Sequence, residues 1–203
     1  MPPMAPNTPF DADVLVVGAG PAGLALGIAL ADAGLQVTLL EQQDAPALAA
    51  PAEDGREIAL THRARRIMTE LGLWDRLGAE AVSPLNEARV VDGSSPLVLH
   101  FGTQRAGREG PLGWLVPNHL IRQAAWQAAA ACPRVQVCCG AHVTAIERDA
   151  HAARITLADG RRLSARLLVA ADSRFSATRR LAGIGAAMHD FGRSVVVGRV
   201  AHG

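Results

Sequence analysis

The sequence predicts an α/β domain in which a parallel sheet carries an antiparallel β insert. Near its start, a short apolar strand, an apolar helix and a second strand follow one another within about 30 residues, as in a right-handed βαβ unit. Later segments alternate apolar and polar residues around turn signals, which is typical of antiparallel hairpins. The combination favours a mixed sheet with helices packed on it.

The βαβ unit is predicted from its apolar runs and its glycines. In residues 13–17, Asp13 is followed by a continuous apolar run, 14–17, that is rich in β-branched residues and closed by glycine, which is typical of a strand buried on both faces. The next segment, with Leu24 and Ile28, is apolar on nearly all sides, as expected for a helix packed on a sheet, and Gly34 ends it. Residues 36–40 form the second strand.

In the middle of the chain, the sequence predicts a loop, a helix and two strands. Residues 44–55 are rich in alanine, proline and acidic residues, which favours a loop. Thr61 is the expected N-cap of a helix whose apolar positions follow the i, i+3, i+4, i+7 pattern. Residues 87–92 and 96–101 are predicted to be antiparallel strands.

The second half predicts a further helix, a strand and a hairpin. Residues 118–132 are an alanine-rich helix and residues 135–139 a strand. Two alternating runs then flank Asp159-Gly160, the strongest hairpin signal in the chain. The second run continues as an apolar strand that ends at Asp172, and a short helix through Ser176 follows.

Composition narrows the classes of function. The chain has 203 residues, of which 49% are hydrophobic and 19% charged, a globular composition. Its 20 basic and 19 acidic side chains give a formal net charge of +1, which argues against broad binding to nucleic acid through phosphate neutralisation. We therefore expect a small-molecule ligand and no nucleic-acid partner.

The cysteines indicate a reducing compartment. There are three, Cys132, Cys138 and Cys139, so one stays unpaired in any scheme of disulfides within the chain. Adjacent cysteines on a strand point to opposite faces and no fourth ligand is evident, so we predict no metal site. The start of the chain has neither the basic cluster of a signal peptide nor a membrane-spanning run, and we expect a cytoplasmic protein.

A glycine-rich motif carries the clearest chemistry. Residues 18–23, Gly-Ala-Gly-Pro-Ala-Gly, fit the pattern GxGxxG between the first strand and its helix. The first glycine allows a tight turn, the second lets the backbone approach a pyrophosphate, and the third allows close packing of helix on strand. The helix start offers free N–H groups and the positive end of the helix dipole. The cofactor-binding residues predicted here are Gly18, Gly20, Pro21, Ala22 and Gly23.

Glu41 ends the second strand, where a carboxylate can accept hydrogen bonds from both ribose hydroxyls of an adenosine. Its negative charge disfavours a 2′-phosphate, so NADP is not expected at this site. The motif and Glu41 together predict a Rossmann-like dinucleotide site but do not separate FAD from NAD, and both cofactors stay open on this evidence.

Four further segments carry a resemblance to a known family. In order along the chain they are Asp54-Gly55-Arg56-Glu57-Ile58-Ala59-Leu60, Leu71-Gly72-Leu73-Trp74, Gly113-Trp114-Leu115-Val116-Pro117-Asn118, and residues 171–180. With residues 14–41, they make the chain from about residue 13 onward resemble the FAD-dependent aromatic hydroxylases of the para-hydroxybenzoate hydroxylase type. Within that family the chain is most similar to the ubiquinone-biosynthesis hydroxylases. The resemblance implies a flavoprotein monooxygenase that uses FAD, NAD(P)H as reductant and O2 to hydroxylate a small aromatic substrate.

The resemblance also implies roles for Arg56 and Asp172. The matching arginine of the family reaches back over the FAD, whereas the residue pattern alone leaves open a solvated surface arginine. The family's matching Asp-Gly segment lies near the pyrophosphate and serves both flavin and NADPH. Asp172 also stands at the sheet edge where such folds bind ligands, although Asp172 or Ser173 could instead be the N-cap of the next helix. Ser173 replaces the family's glycine, and we expect strain there if the position needs a positive φ.

Members of the family are considerably longer than this chain. We therefore expect an N-terminal fragment with a disordered start at residues 1–10, an FAD-binding domain at 11–185 and the truncated start of a substrate domain at 186–203, of which 194–203 would be the first strand. No catalytic acid or base is predicted. The alternatives are an NAD-binding oxidoreductase of another kind and a non-catalytic, truncated FAD-binding module. A membrane surface or a protein is considered as a further partner, one that would serve the missing half. The alternative to a purely cytoplasmic location is the periphery of a membrane.

Overall fold

The structure, a computed structural model, describes residues 10–93, 95–102 and 110–198. The α-helices are α1 (Pro21–Asp32), α2 (Ala45–Ala49), α3 (His62–Glu70), α4 (Asn118–Ala130) and α5 (Ala177–Leu181), with 3-10 turns at Trp74–Arg76 and Ala79–Ala81. The strands are β1 (Ala12–Val17), β2 (Val37–Leu40), β3 (Glu57–Leu60), β4 (Ser83–Leu85), β5 (Glu87–Val91), β6 (Val98–Gly102), β7 (Gly113–Pro117), β8 (Val135–Cys138), β9 (Val143–Arg148), β10 (Ala153–Leu157) and β11 (Arg162–Ala170).

The main sheet has six strands in the order β8-β2-β1-β11-β10-β9. The first four are parallel, whereas β10 and β9 are antiparallel to their neighbours. The chain moves from β1 outward to β2 and β8, and later returns to β11 on the other side of β1. This reversal is a topological switch point, the place where open α/β sheets bind ligands at the carboxyl ends of their strands. The α/β class with an antiparallel insert is confirmed.

Both faces of β1 are buried, which explains its continuous apolar run. Val14 and Val16 lie in one core cluster together with Leu24 of α1 and Ile121 of α4. The residues between and after them in β1 face a second cluster, which includes Ile155 of β10. Successive side chains of a strand point to opposite faces, so both sets must be apolar here.

Two smaller sheets lie in the middle of the chain. An antiparallel sheet in the order β3-β7-β4 brings residues 57–60 beside residues 113–117, a pairing that the sequence patterns did not predict. The ribbon of β5 and β6 was predicted, and it stands apart with most of its side chains exposed. Among the described residues, no helix is long and apolar enough to cross a membrane.

The prediction of a loop at residues 44–55 is wrong for the first half of this segment, because that half contains α2. Asp44 caps that helix, because its side chain accepts a hydrogen bond from the N–H of Ala47 at 3.0 Å. Pro46 lies in the first turn, where its missing N–H costs nothing. A capping residue followed by proline therefore outweighed the loop-like composition.

The strand predicted at residues 194–203 is absent from its described part. Residues 194–198 have no regular secondary structure, and Val195 and Val196 are 88% and 94% exposed. A strand needs a hydrogen-bonded neighbour, and no described strand lies beside this run. Residues 199–203 lie outside the described residues, as do residues 1–9 of the predicted disordered start. The proposed domain limits stay a prediction.

We predict that Gly23→Ala destabilises the fold by about 2 to 4 kcal/mol, because a methyl group is forced against backbone atoms. A Cβ at residue 23 would lie 2.0 Å from the carbonyl oxygen of Gly18. Gly20→Ala is the matched control, since a Cβ at residue 20 meets nothing within 4 Å. Urea unfolding of both variants measures the difference, and equal losses of stability would contradict this account of the turn.

Candidate functional site

The turn after β1 is shaped by contacts of two of its glycines. Gly18 has a φ of +104°, and a Cβ there would lie 2.5 Å from the carbonyl oxygen of Ala171, just beyond β11. Gly23 has no room for a Cβ beside the Gly18 carbonyl. Gly20 differs, because a Cβ there would meet nothing within 4 Å. Packing within the protein therefore accounts for the first and third glycines, and leaves open space above the second.

The start of α1 has no side-chain cap. Gly20 is the N-cap residue and has no side chain with which to bond the first N–H groups, while Pro21 occupies the first turn and Ala22 is exposed. That turn also contains no acidic side chain. Uncapped N–H groups at the positive end of a twelve-residue helix are suited to an anion.

Glu41 lies directly beside this turn. One carboxylate oxygen, Oε2, accepts a hydrogen bond from the N–H of Ala19 at 2.8 Å, and Oε1 accepts one from the N–H of Gln43 at 3.0 Å. A carboxylate offers about four acceptor positions, so two positions are left for a ligand. The sequence predicted Glu41 at the end of its strand but not its bond to the glycine turn, since no local pattern reports a contact between residues 19 and 41.

Asp172 lies at the same edge of the sheet, because its Cα is 3.0 Å from the position that a Cβ of Gly18 would take. Its carboxylate points to α5. Oδ2 accepts hydrogen bonds from the N–H and the hydroxyl of Thr178, both at 2.9 Å, and the hydroxyl of Ser176 donates to Oδ1. Burial raises the pKa of Asp172, but these hydrogen bonds outweigh burial and hold the pKa below its usual value.

The prediction that Asp172 or Ser173 could be the N-cap of the helix after β11 is wrong. The N-cap of α5 is Ser176, whose hydroxyl oxygen accepts a hydrogen bond from the N–H of Arg179 at 2.9 Å, and neither Asp172 nor Ser173 occupies that position. Asp172 instead supports the helix start from outside, through Ser176 and Thr178. The spacing Ser-x-x-Arg was visible in the sequence but could not show which of several hydroxyl and carboxylate side chains would cap.

Ser173 has a φ of +109°, and it is the one non-glycine residue with a positive φ in the part of the chain that the structure describes. The strain expected from a serine at the family's glycine position is therefore present. A side chain in this region of φ costs about 1 to 3 kcal/mol, and the conformation persists because surrounding contacts hold it in place.

The side chain of Arg56 is paired with a carboxylate two residues before it. Its guanidinium donates to Oδ2 of Asp54 from Nε at 2.9 Å and from Nη2 at 2.7 Å, and its side chain is 62% exposed. Asn118 at the start of α4 also donates to Oδ2 of Asp54, at 2.6 Å. These bonds from Asn118 and Arg56 lower the pKa of Asp54 to about 2. Within the described ranges, the hydrogen bonds of the Arg56 side chain go to Asp54 and not to Glu41 or Asp172.

The structure thus brings together the glycine turn, Glu41 and Asp172 at the carboxyl ends of β1, β2 and β11. Arg56 forms a separate cluster with Asp54 and Asn118, two residues to which the sequence analysis gave no site role. All three cysteines are free thiols.

We predict that Ser173→Gly stabilises the protein by about 1 kcal/mol, because relief of backbone strain exceeds the extra entropy that glycine loses on folding. Ser164→Gly is the control on a regular strand, where the same exchange removes the hydrogen bond of its hydroxyl to Asp11 and destabilises. Thermal unfolding measures both. A lower melting temperature for Ser173→Gly would mean that the side chain stabilises this turn.

Comparison with known proteins agrees with this geometry. The family model described as FAD binding domain matches residues 11–200. Ubiquinone hydroxylase UbiM of Neisseria meningitidis is 44% identical over 196 residues, which are 95% of this chain and 42% of that protein. Ubiquinone hydroxylase UbiL of Rhodospirillum rubrum is 41% identical over 191 residues, covering 94% of this chain and 44% of that protein. The chain thus spans less than half the length of these relatives.

Solved structures share the fold. PqsL of Pseudomonas aeruginosa superposes with a TM-score of 0.71 at 23% identity, over 89% of this chain and 48% of PqsL. AlpK gives a TM-score of 0.68 at 29% identity, over 87% of this chain and 34% of AlpK. The resemblance predicted from the motifs is confirmed, and of the two cofactors left open by the glycine motif the family model supports FAD. The chain belongs to the FAD binding domain family.

Proposed function

We propose that this chain is the FAD-binding portion of a flavoprotein monooxygenase that hydroxylates a small aromatic, ubiquinone-precursor-like substrate with NAD(P)H and O2. The observation that carries the proposal is the open space above Gly20, between an uncapped helix start and the Glu41 carboxylate. Nothing in the packing of the protein requires glycine at that position, whereas a pyrophosphate placed against the backbone would.

The adenosine half of FAD fits the residues at this edge. In the proposal the N–H groups at the start of α1 donate to the pyrophosphate, with Pro21 and Ala22 in the turn that presents them. The two free acceptor positions of Glu41 take the ribose hydroxyls. The bond from Ala19 to Glu41 keeps the carboxylate beside the turn before FAD arrives, so that little ordering is left for the binding step.

Asp172 acts as a positioning residue in this proposal. Its carboxylate is engaged with Ser176 and Thr178, so it supports α5 and the edge beside Gly18 without contacting the cofactor through that carboxylate. The role of Arg56 over the FAD requires its guanidinium to exchange Asp54 for the pyrophosphate. Its exposed position leaves room for that movement.

FAD, when bound, accepts electrons from the reductant and passes them to O2. The substrate class comes from the names of the relatives, which include two ubiquinone hydroxylases and the 3-demethoxyubiquinol 3-hydroxylase of Escherichia coli, 29% identical over 91% of this chain and 47% of that protein. The free thiols support a reducing compartment such as the cytoplasm, and the membrane surface is the proposed alternative partner.

Binding of FAD is tested by titrating the protein with FAD and with NAD. We expect FAD to bind more tightly, and Glu41→Ala to weaken FAD binding by about 1 to 3 kcal/mol through loss of charged hydrogen bonds. Glu147→Ala, which removes an exposed carboxylate from β9, is the control and should leave the affinity unchanged. Tighter binding of NAD, or an unchanged affinity for FAD in Glu41→Ala, would refute the assignment of this site.

Hydroxylation is tested separately, with FAD, NADPH and a panel of phenols. We expect these 203 residues alone to give hydrogen peroxide and no hydroxylated product, because they span less than half of the ubiquinone hydroxylases and a flavin exposed to water loses its oxygen as peroxide. Hydroxylated product formed in step with the consumption of NADPH would contradict this expectation. Product and hydrogen peroxide are measured together, because peroxide alone reports electrons that reach O2 without reaching the substrate. Bound FAD with no oxidation of NADPH would contradict the monooxygenase and favour the non-catalytic FAD-binding module.

A further inference from the structure

A second concave site lies on the other side of α5, against β9, β10 and β11. It has a volume of about 310 Å³, and its walls include three arginines, Arg148, Arg166 and Arg179. The acidic residue in its lining is Asp149. The resemblance to the hydroxylase family assigns no role to this cavity, and the proposed FAD site does not use it.

Asp149 does not neutralise these arginines, because its carboxylate is engaged elsewhere. Oδ2 accepts a hydrogen bond from Nη1 of Arg154 at 2.8 Å, and Oδ1 accepts bonds from the N–H groups of His151 and Ala152 at 2.7 and 2.9 Å. Arg154 and these two N–H groups lower the pKa of Asp149 to about 2. Arg154 is absent from the lining of the cavity, so the ion pair turns the negative charge away from it.

The three guanidinium groups keep most of their donors free. Nη2 of Arg148 donates to the carbonyl of Ala182 at 3.1 Å, and Nη1 of Arg179 donates to the carbonyl of Ile184. Each of these bonds uses one of five N–H donors and neutralises no charge. The guanidinium of Arg166, an exposed residue of β11, forms no hydrogen bond or ion pair with the described residues. Three like charges around one cavity disfavour one another unless an anion lies between them.

Apart from Thr178, the rest of the lining is apolar, and part of it is open to solvent. Leu167 and Ile184 are each 52% exposed, and Ile146 and Leu168 line the wall behind them. Exposed leucine and isoleucine beside uncompensated arginines match a ligand that has both an apolar body and a negative group.

We propose that this cavity binds a small organic anion, with an aryl or short alkyl body against the apolar wall and a phosphate or carboxylate group among the arginines. Arginine recognises both groups through paired N–H donors. The volume lies at the lower end of the range for ligand pockets, so a compact ligand fits. The site is independent of the proposed FAD site.

The test is calorimetric titration of the full chain with phenyl phosphate, with inorganic phosphate as the probe that lacks the apolar body. We expect phenyl phosphate to bind more tightly than phosphate, and Arg166→Gln to weaken it about ten- to hundredfold through loss of a charged hydrogen bond. Arg166→Lys keeps the charge but not the paired donors, so its affinity for phenyl phosphate should lie between those of the wild type and Arg166→Gln. Arg162 lies on the same strand but lines a different cavity, so Arg162→Gln should bind phenyl phosphate as tightly as the wild type does.

Three outcomes would overturn the proposal. They are equal weakening in Arg162→Gln and Arg166→Gln, displacement of phenyl phosphate by FAD, and binding to phosphatidylglycerol vesicles without binding to soluble phenyl phosphate. Circular dichroism of each variant checks that it is folded. The bonds that hold α5 come from Asp172 and Arg148 and not from the side chain of Arg166, so weaker binding by a folded Arg166→Gln variant reports the cavity itself.

Discussion

The close approach of the start of α1 to the carboxyl ends of β1 and β11 is the constraint on which the rest of this site depends. This approach requires glycine at two positions. A side chain at residue 23 would clash with the carbonyl of Gly18, and a side chain at residue 18 would clash with the carbonyl of Ala171. Once these backbones touch, the helix dipole points at the switch point of the sheet, and the N–H groups of the first turn are exposed there. Gly20 is the one glycine of the three at which a Cβ would meet no protein atom within 4 Å, and the space above it is the place proposed for the pyrophosphate.

The acceptors at this edge are fixed by contacts between distant parts of the chain. Glu41 bonds Ala19, and Asp172 reaches past Ser173 to Ser176 and Thr178. Each carboxylate therefore has a structural task as well as a place beside the candidate ligand site. Substituting either one changes the shape of the edge together with its charge, so stability has to be measured beside affinity.

Sequence patterns predicted the parts of this structure that local physics controls. The buried strand β1, the glycine turn, the Thr61 cap of α3 and the hairpin at Asp159-Gly160 follow from runs, breakers and capping residues within a few positions. Patterns did not predict the pairing of β3 with β7, because short strands carry little periodicity and their partners are far apart in sequence. They also could not show that Arg56 would contact Asp54 and Asn118, since an exposed guanidinium takes whichever acceptor the fold brings near.

Helix α5 connects the two sites of this domain. Five residues are too few for a helix that is stable alone, so its position depends on contacts outside it. Asp172 holds its start at the edge beside Gly18, and Arg148 of β9 holds the chain just after its end, through the carbonyl of Ala182. Both ends of this short helix are thus held by side chains from outside it, one beside the candidate FAD site and one in the lining of the cavity.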